Sequence, residues 1–281
     1  MKALLFGAVA TLLPPVAARV QAAHRPAVFD LWAEGRAAFG VFVPDERPRP
    51  PRGQRREGAM PQALYTVEGG ERLGRNPLYD YLFLNLESGY DRAAVEAIAG
   101  GLEAAGAAGR MALLVRIPPI ERDGEQAARQ RVVEILTAGA DGVVFPHVRG
   151  PEEAALAVSM LIDAGADVWS PANPDGDKIA MIMIEDPESL ARVQQTSQVP
   201  GISILACGIG SLRGALGGDR EAAEAGNQQV LSQARRIGVP DMLTADVDDV
   251  EQRVREGFLA LLMQGDGADE AIRVGRQAAG R

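Results

Sequence analysis

Ala180-Met-Ile-Met-Ile-Glu-Asp-Pro-Glu-Ser189 and Val199-Pro-Gly-Ile-Ser-Ile-Leu-Ala-Cys-Gly-Ile-Gly-Ser-Leu212 read as two buried parallel strands joined by one helix. Both contain continuous apolar runs of strand length, the pattern of strands covered on two faces. Each ends in something that apolar packing does not require: Glu185 after the first, and Gly208-Ile-Gly-Ser211 after the second. In a parallel α/β fold the C-terminal strand ends form the ligand face, so these two endings are expected to meet at one site.

Outward from this pair, short apolar runs alternate with helical patterns from Phe29 onward. Eight strand candidates lie at residues 39–43, 81–86, 112–117, 142–145, 179–184, 202–206, 242–245 and 258–262. Helical periodicity occupies residues 92–105, 125–138, 152–163, 221–237 and 268–279. Eight strand-helix units in about 250 residues predict a (β/α)8 TIM barrel, with residues 29–281 as a single domain. A doubly wound open sheet would carry a Gly-rich turn after its first strand, and Val43-Pro44-Asp45 is not one.

Two segments break the rhythm. Residues 44–77 include Pro48-Arg-Pro-Pro-Arg52 and are too long for a plain strand-to-helix loop. Because they leave the ligand face, a lid, a subunit contact and a disordered insertion all remain open. The second segment is the turn-rich Trp169-Ser-Pro-Ala-Asn-Pro-Asp-Gly176.

Composition narrows the classes of function. With 281 residues, 47% hydrophobic and 24% charged, the chain has the make-up of an ordinary globular protein. A formal charge of -9 argues against nucleic acid as a partner, since phosphate binding needs clustered Lys and Arg. The local positive excess at residues 47–56 is broken by Pro and Gly and reads as a solvated loop. A single cysteine, Cys207, excludes an internal disulfide and reads as a buried, inert thiol.

At the N-terminus, Met1-Lys2 precedes an apolar run broken by Pro14 and Pro15, then Val20-Gln-Ala-Ala23. This order fits a signal peptide over residues 1–22 and export to the periplasm; the alternative is an N-terminal arm on a cytoplasmic protein. No later run approaches the ~18 apolar residues of a membrane span.

Gly139-Ala-Asp-Gly-Val-Val-Phe-Pro-His-Val148, Met183-Ile-Glu-Asp-Pro-Glu-Ser189, Val199-Pro-Gly201 and Gly208-Ile-Gly-Ser-Leu212, taken in this order, resemble the HpcH/HpaI aldolase and citrate lyase family. The resemblance runs from about Phe29 to the C-terminus and is weakest over residues 44–77. It implies a barrel enzyme that makes or breaks a carbon-carbon bond beside a 2-oxo acid, in a homo-oligomer packed through the last helices. In the aldolase branch a divalent metal held by a Glu and an Asp chelates the pyruvate-like group. An Arg binds the carboxylate, and a His with an Asp partner moves the proton. Carboxylates with open water positions suit Mg²⁺ or Mn²⁺.

Carried onto this chain, the resemblance assigns Glu185 to the metal and Arg116, in Leu114-Val-Arg-Ile-Pro118, to the substrate carboxylate. Ser211 stands where the family's Gly-Pro-x-Asp-Leu-Ser turn carries the second metal ligand. In Asn85-Leu-Glu-Ser-Gly89 the proton-handling His is replaced by Ser88, while Glu87 is kept. Thr137 stands where the Asp that orients that His is expected, and Met183 replaces a Gln. Ser88, Gly210 and Ser211 join Arg116 as candidate substrate contacts.

His147 follows the fourth strand candidate on the ligand side and is, apart from His24, the only histidine. An imidazole can serve as acid or base near neutral pH, so His147 is the candidate for the proton; a packed loop histidine is the alternative.

Plain structural roles compete with these assignments. A charge ending a wholly apolar strand is rarely left unpaired, and Arg116 can pair Glu185 directly. Gly208 and Gly210 serve either a tight turn or backbone N–H groups facing an anion. Asp186, Glu188 and Asp219 read as helix-start acids. Two functions follow: a metal-dependent carbon-carbon lyase acting on a 2-oxo acid, or a catalytically degenerate barrel that binds a small carboxylate or acyl ligand without turnover. The second is motivated by the substitutions at Ser88, Thr137, Met183 and Ser211.

Overall fold

The structure, a computed structural model, describes residues 25–47 and 62–281. The segment read as a signal peptide and the Pro48–Arg52 run lie outside the described residues.

Eight parallel strands close on themselves in sequence order. They are β1 (Ala38–Phe42), β2 (Tyr81–Asn85), β3 (Ala112–Arg116), β4 (Gly142–Phe145), β5 (Ile179–Ile184), β6 (Ile204–Cys207), β7 (Asp241–Thr244) and β8 (Ala260–Met263). Pairing of β1 with β8, Phe39 opposite Leu261, completes the ring. All eight expected strands form, with β6 and β8 each starting two residues later than the apolar runs imply.

Around them, in chain order, run α1 (Val28–Ala33), α2 (Val67–Gly74), α3 (Arg92–Ala104), α4 (Ile120–Asp123), α5 (Glu125–Thr137) and α6 (Pro151–Asp163). Then follow α7 (Pro187–Ala191), α8 (Val193–Thr196), α9 (Ile209–Ala215), α10 (Arg220–Ile237), α11 (Val250–Glu256) and α12 (Ala268–Ala278). Asp186 and Asp219 cap α7 and α10, accepting from Ser189 N at 2.8 Å and Ala222 N at 3.0 Å, which confirms their structural reading.

Strand alternation divides the core into two layers. Tyr81 and Phe83, Ala112 and Leu114, Met181 and Met183, Ile204 and Ala206, and Ala260 and Leu262 point into the barrel. The residues between them, such as Leu82, Leu113, Ile182 and Leu205, pack outward against the helices. The same parity carries Arg116, two residues after Leu114, and Glu185, two after Met183, to the inner side of the C-terminal mouth.

The opposite end of the barrel is sealed. Val28, Phe29, Leu31 and Trp32 of α1 join the interior layer, and Trp32 Nε1 donates to Leu259 O at 2.9 Å. Trp169, from the turn-rich segment before β5, meets this plug with ring centroids 5.7 Å from Phe29 and 5.9 Å from Trp32. That segment therefore closes the N-terminal end and has no place at the ligand face.

Residues 44–77 contain the crossover helix that the barrel requires between β1 and β2. Val67-Glu-Gly-Gly-Glu-Arg-Leu-Gly74 forms α2, capped by Thr66, whose hydroxyl accepts from Gly69 N at 3.0 Å. The glycines lower helix propensity and hide the element in the sequence. They are there for proximity: a β-carbon on Gly70 would sit 2.8 Å from Ile98 O, and one on Gly101 2.6 Å from Gly70 Cα. Helices α2 and α3 thus touch backbone to backbone.

Candidate active site

Arg116 ends β3 and Glu185 follows β5, so β4 lies between them; their side chains meet over its end. Arg116 Nη2 donates to Glu185 Oε2 at 2.8 Å, to Glu185 Oε1 at 3.1 Å and to Glu87 Oε1 at 2.9 Å. The Glu185 carboxylate is enclosed, with 1% of its side chain exposed. Its Oε2 also accepts the backbone N–H of His147 at 3.0 Å. A dehydrated carboxylate needs such donors, because its charge is otherwise expensive to bury.

His147 sits beyond β4 with φ +53°, and its backbone turns the ring back over the strand ends. Nε2 lies 2.9 Å from Glu87 Oε1 and 3.6 Å from Glu185 Oε2. Carboxylates only accept, so Nε2 carries the proton in the contact with Glu87. The backbone carbonyl of Glu87 is itself held by Arg122 Nη1 at 2.8 Å. Four groups therefore interlock: two carboxylates, one guanidinium and one imidazole.

Next to them lies a cavity of about 180 Å³. Arg116, Glu185, Gly208, Gly210, Ser211 and Thr244 give it a polar rim, and Phe42, Phe83, Met183, Met242 and Leu262 give it an apolar floor. Met183, which replaces a Gln in the family pattern, is part of that floor. Arg116 Nε is buried without a hydrogen-bond partner, leaving one donor of the guanidinium unsatisfied.

The two glycines after β6 differ in purpose. A β-carbon on Gly208 would lie 2.6 Å from Glu185 Cγ and closer still to Oε1, so this glycine makes room for the carboxylate. One on Gly210 meets nothing. The expected Gly-Ile-Gly-Ser turn is the first turn of α9, which brings Gly210 and Ser211 to the cavity.

Other expected site residues are dispersed. Ser88 lines a neighbouring cleft of about 540 Å³ with Tyr65, Asn85 and Asp91, rather than the Arg116–Glu185 cavity. Thr137 ends α5. Cys207 also borders the cavity but is 3% exposed, and burial pushes its thiol pKa up, in keeping with an inert thiol. Thr244, at the end of β7, escapes sequence reasoning; its signal is a polar residue closing an apolar strand.

The donor chemistry suits a divalent ion. Glu87, His147 and Glu185 each offer a ligand atom, all within 4.8 Å of one another. Two carboxylates with an imidazole form a hard-to-borderline set, and the partly exposed Glu87 and His147 leave room for water or substrate oxygen. Among the described residues no helix is long and apolar enough to cross a membrane.

No curated protein matches the chain in sequence. Among solved structures, an HpcH/HpaI aldolase/citrate lyase family protein from Burkholderia cenocepacia superposes with TM-score 0.65 at 20% identity, covering 90% of this chain and 97% of the other. An HpcH/HpaI aldolase from Desulfitobacterium hafniense gives TM-score 0.62 at 19% identity, with 88% and 93% covered. CitE from Mycobacterium tuberculosis, solved with magnesium, acetoacetate and coenzyme A, gives 0.56 at 16%, with 87% and 81% covered. At these identities the likeness is one of fold. The model of the HpcH/HpaI aldolase/citrate lyase family, a group of carbon-carbon lyases, matches residues 76–268, and the chain belongs to that family.

Proposed function

We propose that the protein is an aldolase-type carbon-carbon lyase acting on a small 2-oxo acid, with a divalent ion held at Glu185. The observation that carries this reading is the convergence of Arg116 and Glu185 on one cavity at the C-terminal mouth of the barrel. At about 180 Å³ the cavity falls below the roughly 300–1,000 Å³ of sites for drug-sized ligands, which favours a small acid.

A divalent ion, when bound, offsets the charge that develops on an enolate oxygen. Arg116 binds and orients the substrate carboxylate; its planar fork matches that group, and its buried Nε lacks an acceptor. Phe42, Phe83, Met183 and Leu262 exclude water from the reacting carbons, which strengthens the charge interactions above them. Gly210 and Ser211 offer further polar contact to the ligand. His147 holds a proton on Nε2 beside Glu87 and is the group that donates or removes it at the carbon.

A second reading is a barrel that binds a small carboxylate or acyl ligand without turnover. It is favoured by Ser211, which borders the cavity where the family pattern has a carboxylate ligand. Calorimetry with pyruvate and oxaloacetate, with and without Mg²⁺ or Mn²⁺, followed by an assay of pyruvate release, separates the two. Metal-dependent pyruvate release supports the lyase. Carboxylate binding with neither metal dependence nor turnover supports the binder.

A further inference from the structure

The family pattern places its metal between the strand-five Glu and a carboxylate on the turn after strand six, which here is Ser211. We infer that the ion in this protein sits on the other side of the Glu185 carboxylate, held by Glu87, His147 and Glu185. The inference rests on the metal-dependent lyase reading for Glu185 and Arg116, and it replaces the proton role given there to His147, because an Nε2 that ligates an ion carries no hydrogen.

Distances between the donors support it. Metal–ligand bonds of roughly 2.0–2.2 Å put neighbouring donors about 3.0–3.5 Å apart. His147 Nε2 lies 2.9 Å from Glu87 Oε1 and 3.6 Å from Glu185 Oε2. The third donor atom completes a set within 4.8 Å. Among the described residues no comparable set lies toward α9, whose Ser211 lines the same cavity as Glu185.

A second observation is the cation already lodged there. Arg116 Nη2 lies 2.9 Å from Glu87 and 2.8 Å from Glu185, so one positive group bridges the two carboxylates. A metal ion takes over that bridging role. The guanidinium, whose Nε has no acceptor and whose side chain borders the cavity, then turns to the substrate carboxylate. Metal loading and carboxylate binding are thereby coupled through Arg116.

The donor set also selects the ion. An imidazole among the ligands favours Mn²⁺, Co²⁺ or Zn²⁺ over Mg²⁺, which prefers oxygen alone. Side-chain exposures of 39% at His147 and 24% at Glu87 leave positions open for water or substrate, as in a catalytic rather than a structural centre.

The test uses the full chain stripped of metal by a chelator. Calorimetry with Mn²⁺, Zn²⁺ and Mg²⁺ is combined with pulsed electron paramagnetic resonance of the Mn²⁺ form, which reads coupling to a ligand nitrogen. Two variants are made at the proposed ligands, and Ser211→Ala, at the cavity lining, is the control. His147→Asn suits the left-handed backbone, which Asn adopts more readily than most residues. Glu87→Gln is the second, and thermal melting verifies that both fold.

The expected result is one Mn²⁺ per chain, bound at least about 10-fold tighter than Mg²⁺, with nitrogen coupling. That coupling disappears in His147→Asn and persists in Ser211→Ala, while Glu87→Gln weakens binding about 10- to 100-fold. Mn²⁺ bound without nitrogen coupling, and weakened by Ser211→Ala, overturns the ligand set. If pyruvate release still needs metal in that case, the lyase reading survives it. No binding of any of the three ions overturns the ligand set and, with metal-free pyruvate release, the metal-dependent reading too.

Discussion

Arg116 Nη2 lies 2.8 Å from Glu185 Oε2, joining the ends of β3 and β5 across β4. Their side chains are 11% and 1% exposed, so the pair is almost dry. A dry ion pair adds little net stability, yet removal of one partner strands the other, typically at 3–5 kcal/mol. Here Glu87 provides Arg116 with a second acceptor at 2.9 Å, which tempers that cost.

Glu185→Ala is therefore expected to leave a folded protein, destabilised by about 2–3 kcal/mol in urea unfolding. Metal binding by calorimetry and pyruvate release are both lost. A variant that keeps either one contradicts the role of Glu185.

Gly208→Ala tests the space beside that carboxylate. The added methyl lies 2.6 Å from Glu185 Cγ, so the carboxylate must move away from Arg116 and His147. The φ of −76° at Gly208 is ordinary, so the backbone resists nothing. Overpacking costs about 1–3 kcal/mol, and metal affinity falls about 10- to 100-fold as the ligand is misplaced.

The helix contact yields a paired prediction. Gly100 and Gly101 are neighbours in α3, but a β-carbon on Gly100 meets nothing, whereas one on Gly101 lies 2.5 Å from Glu71 N in α2. Gly100→Ala should stabilise by up to about 1 kcal/mol through helix propensity. Gly101→Ala should destabilise by about 1–3 kcal/mol despite the same gain, because α2 must move off. Equal melting shifts for the two would disprove the close approach.

Asp141 supplies a pH dependence. Burial raises its carboxyl pKa from 3.8 to about 6, although Leu113 N donates to Oδ2 at 2.8 Å. A raised acid holds its proton more tightly folded than unfolded, so its contribution is most favourable below pH 4. It is lost as pH rises from about 4 to 6, leaving a penalty of about 3 kcal/mol above that window. Asp141→Asn keeps an acceptor for Leu113 N without the charge. It should stabilise by that amount at pH 8 and hardly at all at pH 4, measured by chemical denaturation at both.

The eight strands were legible because each is a local pattern, a buried run bounded by turns. The inward position of Arg116 and Glu185 follows from counting in twos from apolar neighbours. Helix α2 was not legible: Gly69, Gly70 and Gly74 lower local propensity, and the close approach to Gly101 that requires Gly70 belongs to another segment.

By itself, the chain's order of residues determined a parallel barrel whose polar strand ends gather at one mouth, since alternation and periodicity act over a few neighbouring positions. Only the closed barrel decided that Glu87 and His147 come within 2.9 Å of each other, that Gly208 yields its space to Glu185, and that Ser88 faces a different cleft. Those relations span tens of residues in sequence. They depend on which strand ends become neighbours when the ring closes and on how each loop leaves its strand, and no local pattern encodes either.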